Sequence, residues 1–407
     1  MRAVEPLANN PPAAGSDRRS LTILFATVFV DLLGFGIVIP FLPMYVERLG
    51  VGAFAIGLIL SSYSLMQFLV APVLGRISDR VGRRPIIMLG LLGSSLSYFI
   101  YGFAYSLPIL LISRAIHGAC AATVSTAQAY VADTTTERER AHGMGMIGAA
   151  FGLGFVLGPA LGGLLGRSGL RVPVFFAGAL TFANLIFAAF ALPESHRPTG
   201  AVRLQWNLLA EPLRLPRQLF RHQLARMFLI GFLATFAMVL FEATFALMAP
   251  RVYGFTAAGI GGMLAYAGLL QAITQGYLLR KIVGKVGESR LIRIGLLLFA
   301  LGMAPLATCG SHLLLFGLLA ALAIGYGLAN PSLLSLISRL GGSEPQGELL
   351  GLNQSALAMA RIIGPLIAGL LYDVGGPSVV YMSGGAVAVA GLFLARTISG
   401  NEGEASR

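Results

Sequence analysis

Apolar runs of roughly 20 residues, the length a helix needs to cross about 30 Å of hydrocarbon, recur along this chain between short polar connections. Twelve can be drawn, at 21–43, 55–73, 85–104, 107–131, 141–166, 172–193, 225–249, 257–279, 291–309, 313–337, 348–371 and 379–395. This pattern predicts an all-α polytopic membrane protein. In lipid a helix is favoured because it satisfies every backbone N–H and C=O within its own segment.

The rhythm breaks at mid-chain, where Glu194, Ser195, His196 and Arg197 are followed by Arg203, Arg214, Arg217 and Arg221. The break predicts a six-helix bundle over 21–192, a cytoplasmic linker over 193–224 and a second bundle over 225–395, with cytoplasmic tails at 1–20 and 396–407. The two halves also resemble each other. Val81-Gly82-Arg83-Arg84-Pro85 aligns with Val286-Gly287-Glu288-Ser289-Arg290 at an offset of 205, and Gly158-Pro159-Ala160-Leu161-Gly162 aligns with Gly364-Pro365-Leu366-Ile367-Ala368 at 206. A duplicated unit predicts twelve transmembrane helices in two pseudo-symmetric six-helix bundles, with a solute site between them near the bilayer midplane and alternating access by rocking.

Composition narrows the class further. Apolar residues make up 56% of the chain and charged residues 11%, against about 25% charged in an average soluble domain. A net charge of +12 would suit a nucleic-acid partner, but its distribution argues against one. Of the 29 Lys and Arg, only Arg48, Arg167, Arg171 and Arg251 fall on the side opposite the amino terminus, and only Arg114 and Arg361 fall within spans. That asymmetry is the positive-inside bias, so both termini are expected in the cytoplasm and the chain in the inner (cytoplasmic) membrane, surrounded by lipid. The apolar run after the first 20 residues exceeds a signal-peptide core, so the tail is expected to be retained.

The connection after the second run reads Gly75-Arg76-Ile77-Ser78-Asp79-Arg80-Val81-Gly82-Arg83-Arg84-Pro85. Its carboxylate can pair locally or sit at a helix N-terminus, and an inside-positive loop alone does not account for the spacing of Gly75, Asp79 and Gly82. The loop resembles the signature loop of the major facilitator superfamily. That resemblance implies a gating latch of Asp79, Arg83 and the adjoining Arg84 with Asp133, holding an outward-open state. It also implies an asymmetric latch, because Gly284 stands at the Asp79 position of the second half.

The fifth run carries Gly154, Gly158, Pro159 and Gly162, which strip side chains from a helix face and let another helix approach. Tight packing explains them; the pattern also resembles the motif of the family's antiporters, which implies export. Asp31-Leu32-Leu33-Gly34-Phe35-Gly36, Ala132-Asp133 and Leu192-Pro193-Glu194-Ser195-His196 look most like the tetracycline-exporter branch of the drug:proton antiporters.

A charge at a helix centre costs about 2.5–3.5 kcal/mol on insertion scales, so it is expected to face a cavity or a partner. The candidates for proton coupling are Asp31, Arg114, His117 and Glu242. Asp31 ranks first, unless Arg114 or Arg361 holds it permanently ionised. His117 shares a face with Arg114 three residues earlier. Glu242 could instead bind a cationic solute beside Phe241. The cavity is expected to include Tyr63, Gln67, Gln128, Phe241, Gln271, Asn330, Asn353, Gln354 and Arg361, although helix–helix hydrogen bonding explains its polar residues equally well.

No phosphate-binding Gly-Lys-Ser/Thr loop, metal-ligand cluster or nucleophile–base pair stands out, so no enzyme, cofactor or metal is expected. Gly143-Met144-Gly145-Met146-Ile147-Gly148 fits a dinucleotide pattern but follows no strand and reads as helix packing. The leading expectation is a monomeric secondary transporter exporting a small amphipathic organic compound against protons. Proton-driven uptake of a nutrient and a non-transporting receptor or scaffold remain as alternatives.

Overall fold

The computed structural model describes residues 16–195, 222–340 and 346–397. Most of the expected linker, and most of both expected tails, lie outside the described residues. The described chain is helical throughout, with no strand.

The first half begins with α1 (Ser16–Val38) and, after the interruption at Ile39-Pro40, α2 (Phe41–Glu47). Next come α3 (Ala53–Val81), α4 (Arg83–Gly102), α5 (Leu107–Cys120), α6 (Thr123–Thr134), α7 (Glu137–Leu165) and α8 (Val172–Ala191). Gly82 separates α3 from α4 with φ +105°, a value that only glycine adopts readily. The second half contains α9 (His222–Tyr253), α10 (Ala257–Ile273), α11 (Leu279–Val286), α12 (Glu288–Met303), α13 (His312–Leu340) and α14 (Gln346–Arg396). A π-helical turn, Thr274–Leu278, joins α10 to α11.

Ten helical stretches among the described residues are long and apolar enough to cross a membrane. The twelve predicted runs relate to them simply. The predicted run 291–309 is carried by α12, which stops at 16 residues. Runs 348–371 and 379–395 fall in α14, whose 51 residues are interrupted by Gly376 at φ 71°, ψ −173°. Pro377 follows that break and has no N–H with which to continue the ladder.

Within the first half α1 packs on α7 and α8, and α4 on α5 and α8; within the second, α9 packs on α14 and α12 on α13. Buried polar groups fasten these pairs: Asn184 donates to the Thr27 carbonyl at 2.8 Å, and Ser97 and Ser113 each donate to the other's carbonyl, at 2.8 and 2.9 Å. The halves meet along two crossings, α3 with α14 and α7 with α10. Each uses the same close approach. Gly57 lies against the carbonyl of Pro365, and Gly261 lies against the carbonyl of Pro159. Residues 57 and 261 are one repeat apart, as are 159 and 365, so the two crossings are copies of each other.

One end of this interface is closed. Asp373 accepts from the backbone N–H groups of Ala53 and Phe54, at 2.8 Å each, and Arg251 donates to Glu47 at 2.7 Å. Toward the other end the helices diverge. A Cβ at Gly163 would lie 3.0 Å from Ala258, one at Gly268 would lie 3.3 Å from Phe155, one at Gly152 would lie 3.8 Å from Ala272, and one at Gly148 would meet nothing. A cleft therefore opens between the halves at the end that carries Asp79 and Arg83.

Candidate substrate and proton site

Four helices of the first half build a polar nest inside apolar packing. Asp31 comes from α1, Tyr63 from α3, Ser94, Tyr98 and Tyr101 from α4, and Arg114 and His117 from α5. Ser94 hydrogen-bonds to Asp31, while Asp31 Oδ1 has no protein partner. No ion pair within 4 Å joins Asp31 to Arg114. Asp31 thus faces the interior of its bundle without being locked to an arginine.

Arg114 is almost wholly buried. Its guanidinium carbon lies 4.9 Å from the Tyr101 ring centroid, and its Nε and one terminal nitrogen have no protein partner. A cation on an aromatic face recovers part of its hydration energy from the ring quadrupole. His117 is buried too, with Phe35, Tyr63 and Tyr98 edge-on to its ring at centroid distances of 5.9, 5.2 and 4.8 Å. Gly118 fits against the Tyr63 backbone, which draws α5 and α3 together at this level.

The second half contributes Glu242 and Arg361. Both residues are exposed. Gln354, on the same face as Arg361, and Gln128 are also exposed; Gln67, Gln271 and Asn330 are half-buried.

Two expected cavity residues are corrected. Phe241 is 1% exposed and packs on Phe245 in the central core, because its face of α9, about 100° round the helix from Glu242, meets other helices. Asn353 is 4% exposed, with its side-chain oxygen next to Gly231, so it sits between α14 and α9 rather than in the cleft.

The loop motif forms a clasp inside one half. Arg83 Nε donates to Asp133 at 2.8 Å, and one terminal nitrogen of Arg83 donates to Asp79 and to Ser78, the latter at 2.6 Å. The start of α4 is thereby tied to the ends of α3 and α6 while the cleft at this end stands open. The clasp joins helices of one bundle and does not bridge the halves. Arg84 donates to the Ala189 carbonyl of α8, and Gly75 faces open space.

Of the fifth-run glycines, Gly154, Gly158 and Gly162 pack on α1, with Gly158 against Gly36, while Pro159 turns its carbonyl to Gly261 across the interface. This helix therefore serves both its own bundle and the crossing between halves.

Sequence reasoning did not give several residues the contacts they make here. Glu194 caps α4 by accepting from the Arg83 N–H at 2.8 Å. Asp373, Glu47 and Arg251 close the far end. Glu288 accepts from Arg339 at 2.8 Å and from Ser335 at 3.1 Å. Positions 83 and 288 correspond in the repeat, as do 133 and 339, so the second half carries the same clasp with its charges exchanged. Burial pushes the Glu288 carboxyl up, but the bonds from Arg339 and Ser335 outweigh it and hold the group below the usual carboxylate range. A charge-complement search at the repeat offset could have found this pair.

Many apolar helices in two repeated halves with a cleft between them define a membrane transporter rather than an enzyme. The chain belongs to the Major Facilitator Superfamily, whose family model matches residues 24–352 and 278–406. It is 32% identical over 360 residues to Multidrug resistance protein 1 of Bacillus subtilis (strain 168), covering 87% of this chain and 90% of that protein. It is 34% identical over 363 residues to the class C tetracycline resistance protein of Escherichia coli, covering 87% and 89%. Among solved structures it resembles the human organic anion transporter MFSD10 (TETRAN) at 28% identity and a TM-score of 0.69, covering 95% of this chain and 100% of that one.

Proposed function

We propose that this transporter exports small amphipathic organic compounds in exchange for protons, working as a monomer by alternating access. Its twelve passes form two six-helix bundles, 21–192 and 225–395, joined by the linker 193–224. Three features support that count: α12 supplies a short pass, the break at Gly376 divides α14 into two, and the crossings at Gly57 and Gly261 repeat at one offset. With tails 1–20 and 396–407 in the cytoplasm of a cell bounded by its inner membrane, the cleft opens inward.

Export is supported by the resistance proteins it resembles and by the glycine face of α7 packed on α1, the helix that carries Asp31. Proton coupling rests on one observation. Asp31 sits deep in the bundle with Ser94 as its hydrogen-bond partner and without an ion-paired cation. Neutral and charged forms of such a group differ sharply in their cost as the cleft admits or excludes water. Arg114 and His117 stand near enough to answer its change of charge, and the Arg83–Asp79–Asp133 clasp keeps the gating end of its bundle rigid while the bundle rocks.

The test uses everted vesicles acidified inside. Adding a transported cation should collapse the pH gradient with wild-type protein and leave it intact with Asp31→Asn, while substrate exchange without a gradient persists in the variant. Unchanged coupling in Asp31→Asn removes Asp31 from the mechanism. Flux toward the cytoplasm in oriented vesicles would replace export with uptake, and failure to move any compound of a broad panel would leave a receptor or scaffold.

A further inference from the structure

A cavity of about 460 Å³ opens on the first half at the closed end of the molecule, where several of its helices stop or start. Arg48 follows the last residue of α2, Ala104 lies just beyond α4, and Ser168 to Arg171 connect α7 to α8, which begins at Val172. Gly169, at φ +132°, lets that connection turn, and Arg171 lines the same cavity as Arg48.

The lining is amphipathic. Arg48 and Arg171 are its charged residues, and no carboxylate lines it. Neither arginine side chain forms an ion pair or a hydrogen bond with a described residue, whereas the neighbouring Glu47 is engaged by Arg251 at 2.7 Å. Leu49, Leu170 and Val172 supply an apolar wall, and the Tyr45 ring is fixed beside it by donating to the Ala104 carbonyl at 2.6 Å. Two unpaired guanidiniums next to an apolar wall suit an anion that is joined to hydrocarbon, since a fully hydrated anion gains nothing from the wall.

The surface of α8 supplies a track for that hydrocarbon. Val172, Phe176, Ala179, Ala183, Ile186 and Phe190 recur three or four residues apart and are all exposed, so they form one apolar stripe along the helix. Ala177, Thr181, Asn184 and Ala188, on the other face, are buried, and α8 packs there on α1 and α4. In a membrane protein an exposed apolar stripe of this kind is the lipid-facing side of its helix. Val172 belongs both to the stripe and to the cavity wall. Phe103 and Tyr105, 67% and 77% exposed on either side of Ala104, are residues typical of the level at which helix ends meet lipid headgroups.

We propose that this cavity binds an anionic phospholipid, with its phosphate on Arg48 and Arg171 and an acyl chain along the exposed stripe of α8. A guanidinium offers paired donors in one plane, which match two phosphate oxygens. The Ser168 hydroxyl adds a donor to the same lining. The site uses no residue of the cleft, so it is independent of which solute the cleft carries.

The experiment places a bimane label at Tyr105→Cys in the full chain, after replacement of Cys120 and Cys309, and reconstitutes the protein in phosphatidylcholine vesicles. Quenching is compared for phosphatidylglycerol and phosphatidylcholine that carry the same nitroxide on the acyl chain close to the headgroup. Half-maximal quenching should need at least about tenfold less phosphatidylglycerol. Arg48→Gln combined with Arg171→Gln should bring phosphatidylglycerol to the level of phosphatidylcholine, whereas Arg280→Gln combined with Lys281→Gln, at the open end, should leave the preference intact. Equal quenching by the two lipids in the parent protein overturns the assignment, and that comparison stands even if the double variant folds poorly. An undiminished preference in Arg48→Gln with Arg171→Gln overturns it as well. Relief of quenching by free glycerol phosphate at matched concentration would identify the ligand as a soluble anion and overturn the lipid assignment.

Discussion

Asp373 caps a helix that begins 320 residues before it, accepting at 2.8 Å from Ala53 and at 2.8 Å from Phe54. Gly52 stands at the N-cap of α3 and has no side chain to offer, so the first turn of a first-half helix is completed by a carboxylate of the second half. The negative charge also faces the positive end of the helix dipole. Because the two partners belong to opposite halves, this cap exists only while this end is closed.

Asp373→Asn should therefore favour opening of that end. A lost cap charge is worth about 1 kcal/mol, or roughly a fivefold change in the balance between closed and open forms. Spin labels at cysteines replacing Arg48 and Val374, after removal of Cys120 and Cys309, should show a larger long-distance population in Asp373→Asn than in the parent. An unchanged distance distribution means that the Glu47–Arg251 pair and the glycine crossings hold the end without Asp373.

The crossings themselves give a second prediction. Gly57 and Gly261 each face a proline carbonyl with no space for a Cβ. Gly57→Ala and Gly261→Ala should each force the halves apart at their crossing, at a cost of about 1–3 kcal/mol of overpacking. Repeat symmetry requires similar losses of transport from both. Gly284→Ala, where a Cβ would meet nothing, is the control in thermal unfolding and should unfold with the parent. A large loss at one crossing and none at the other would refute their equivalence.

The contrast between these residues shows what a sequence can disclose. Apolar run length and basic loops record each helix's dealings with lipid and water, so the spans were legible one segment at a time. So were Asp31, Arg114 and Glu242, because a charge in an apolar run is conspicuous by itself. Asp373 lay just past a predicted span, and nothing local marks a carboxylate that caps a helix 320 residues away. Phe241 shows the converse: next to Glu242 it looked like a cavity residue, but adjacent helix positions point about 100° apart, and packing sends its ring into the core. Arg83 and Asp133 were visible through the family's loop pattern, whereas Glu288 and Arg339 were hidden because the second half keeps the positions and reverses the signs.

That reversal leads to the last prediction. The Arg83 side chain is 9% exposed and Asp133 23%, whereas Arg339 in the second clasp is 54% exposed against 10% for Glu288. Removing an arginine costs most where it strands a buried carboxylate, and here Arg83→Ala leaves Asp133 at 23% exposure whereas Arg339→Ala leaves Glu288 at 10%. Arg339→Ala should thus lower the thermal midpoint in detergent at least as much as Arg83→Ala, although its arginine is the more exposed of the two; a negligible loss in Arg339→Ala would show that Glu288 is solvated enough to stand alone. The exchanged pair Arg83→Glu with Asp133→Arg should recover part of what Arg83→Glu loses, because the second half holds its own α12 and α13 with that polarity. Asp79 would then face a second carboxylate across the clasp, which limits the recovery, so Asp79→Asn added to the exchange should improve it. The second clasp also carries a pH signature. A carboxyl held below its usual value in the folded state stabilises fully above its unfolded pKa and loses that contribution as pH falls through the folded value. The stability difference between wild type and Glu288→Gln should therefore be constant near neutrality and shrink on acidification; a difference that grows in acid would place Glu288 outside an ionised pair.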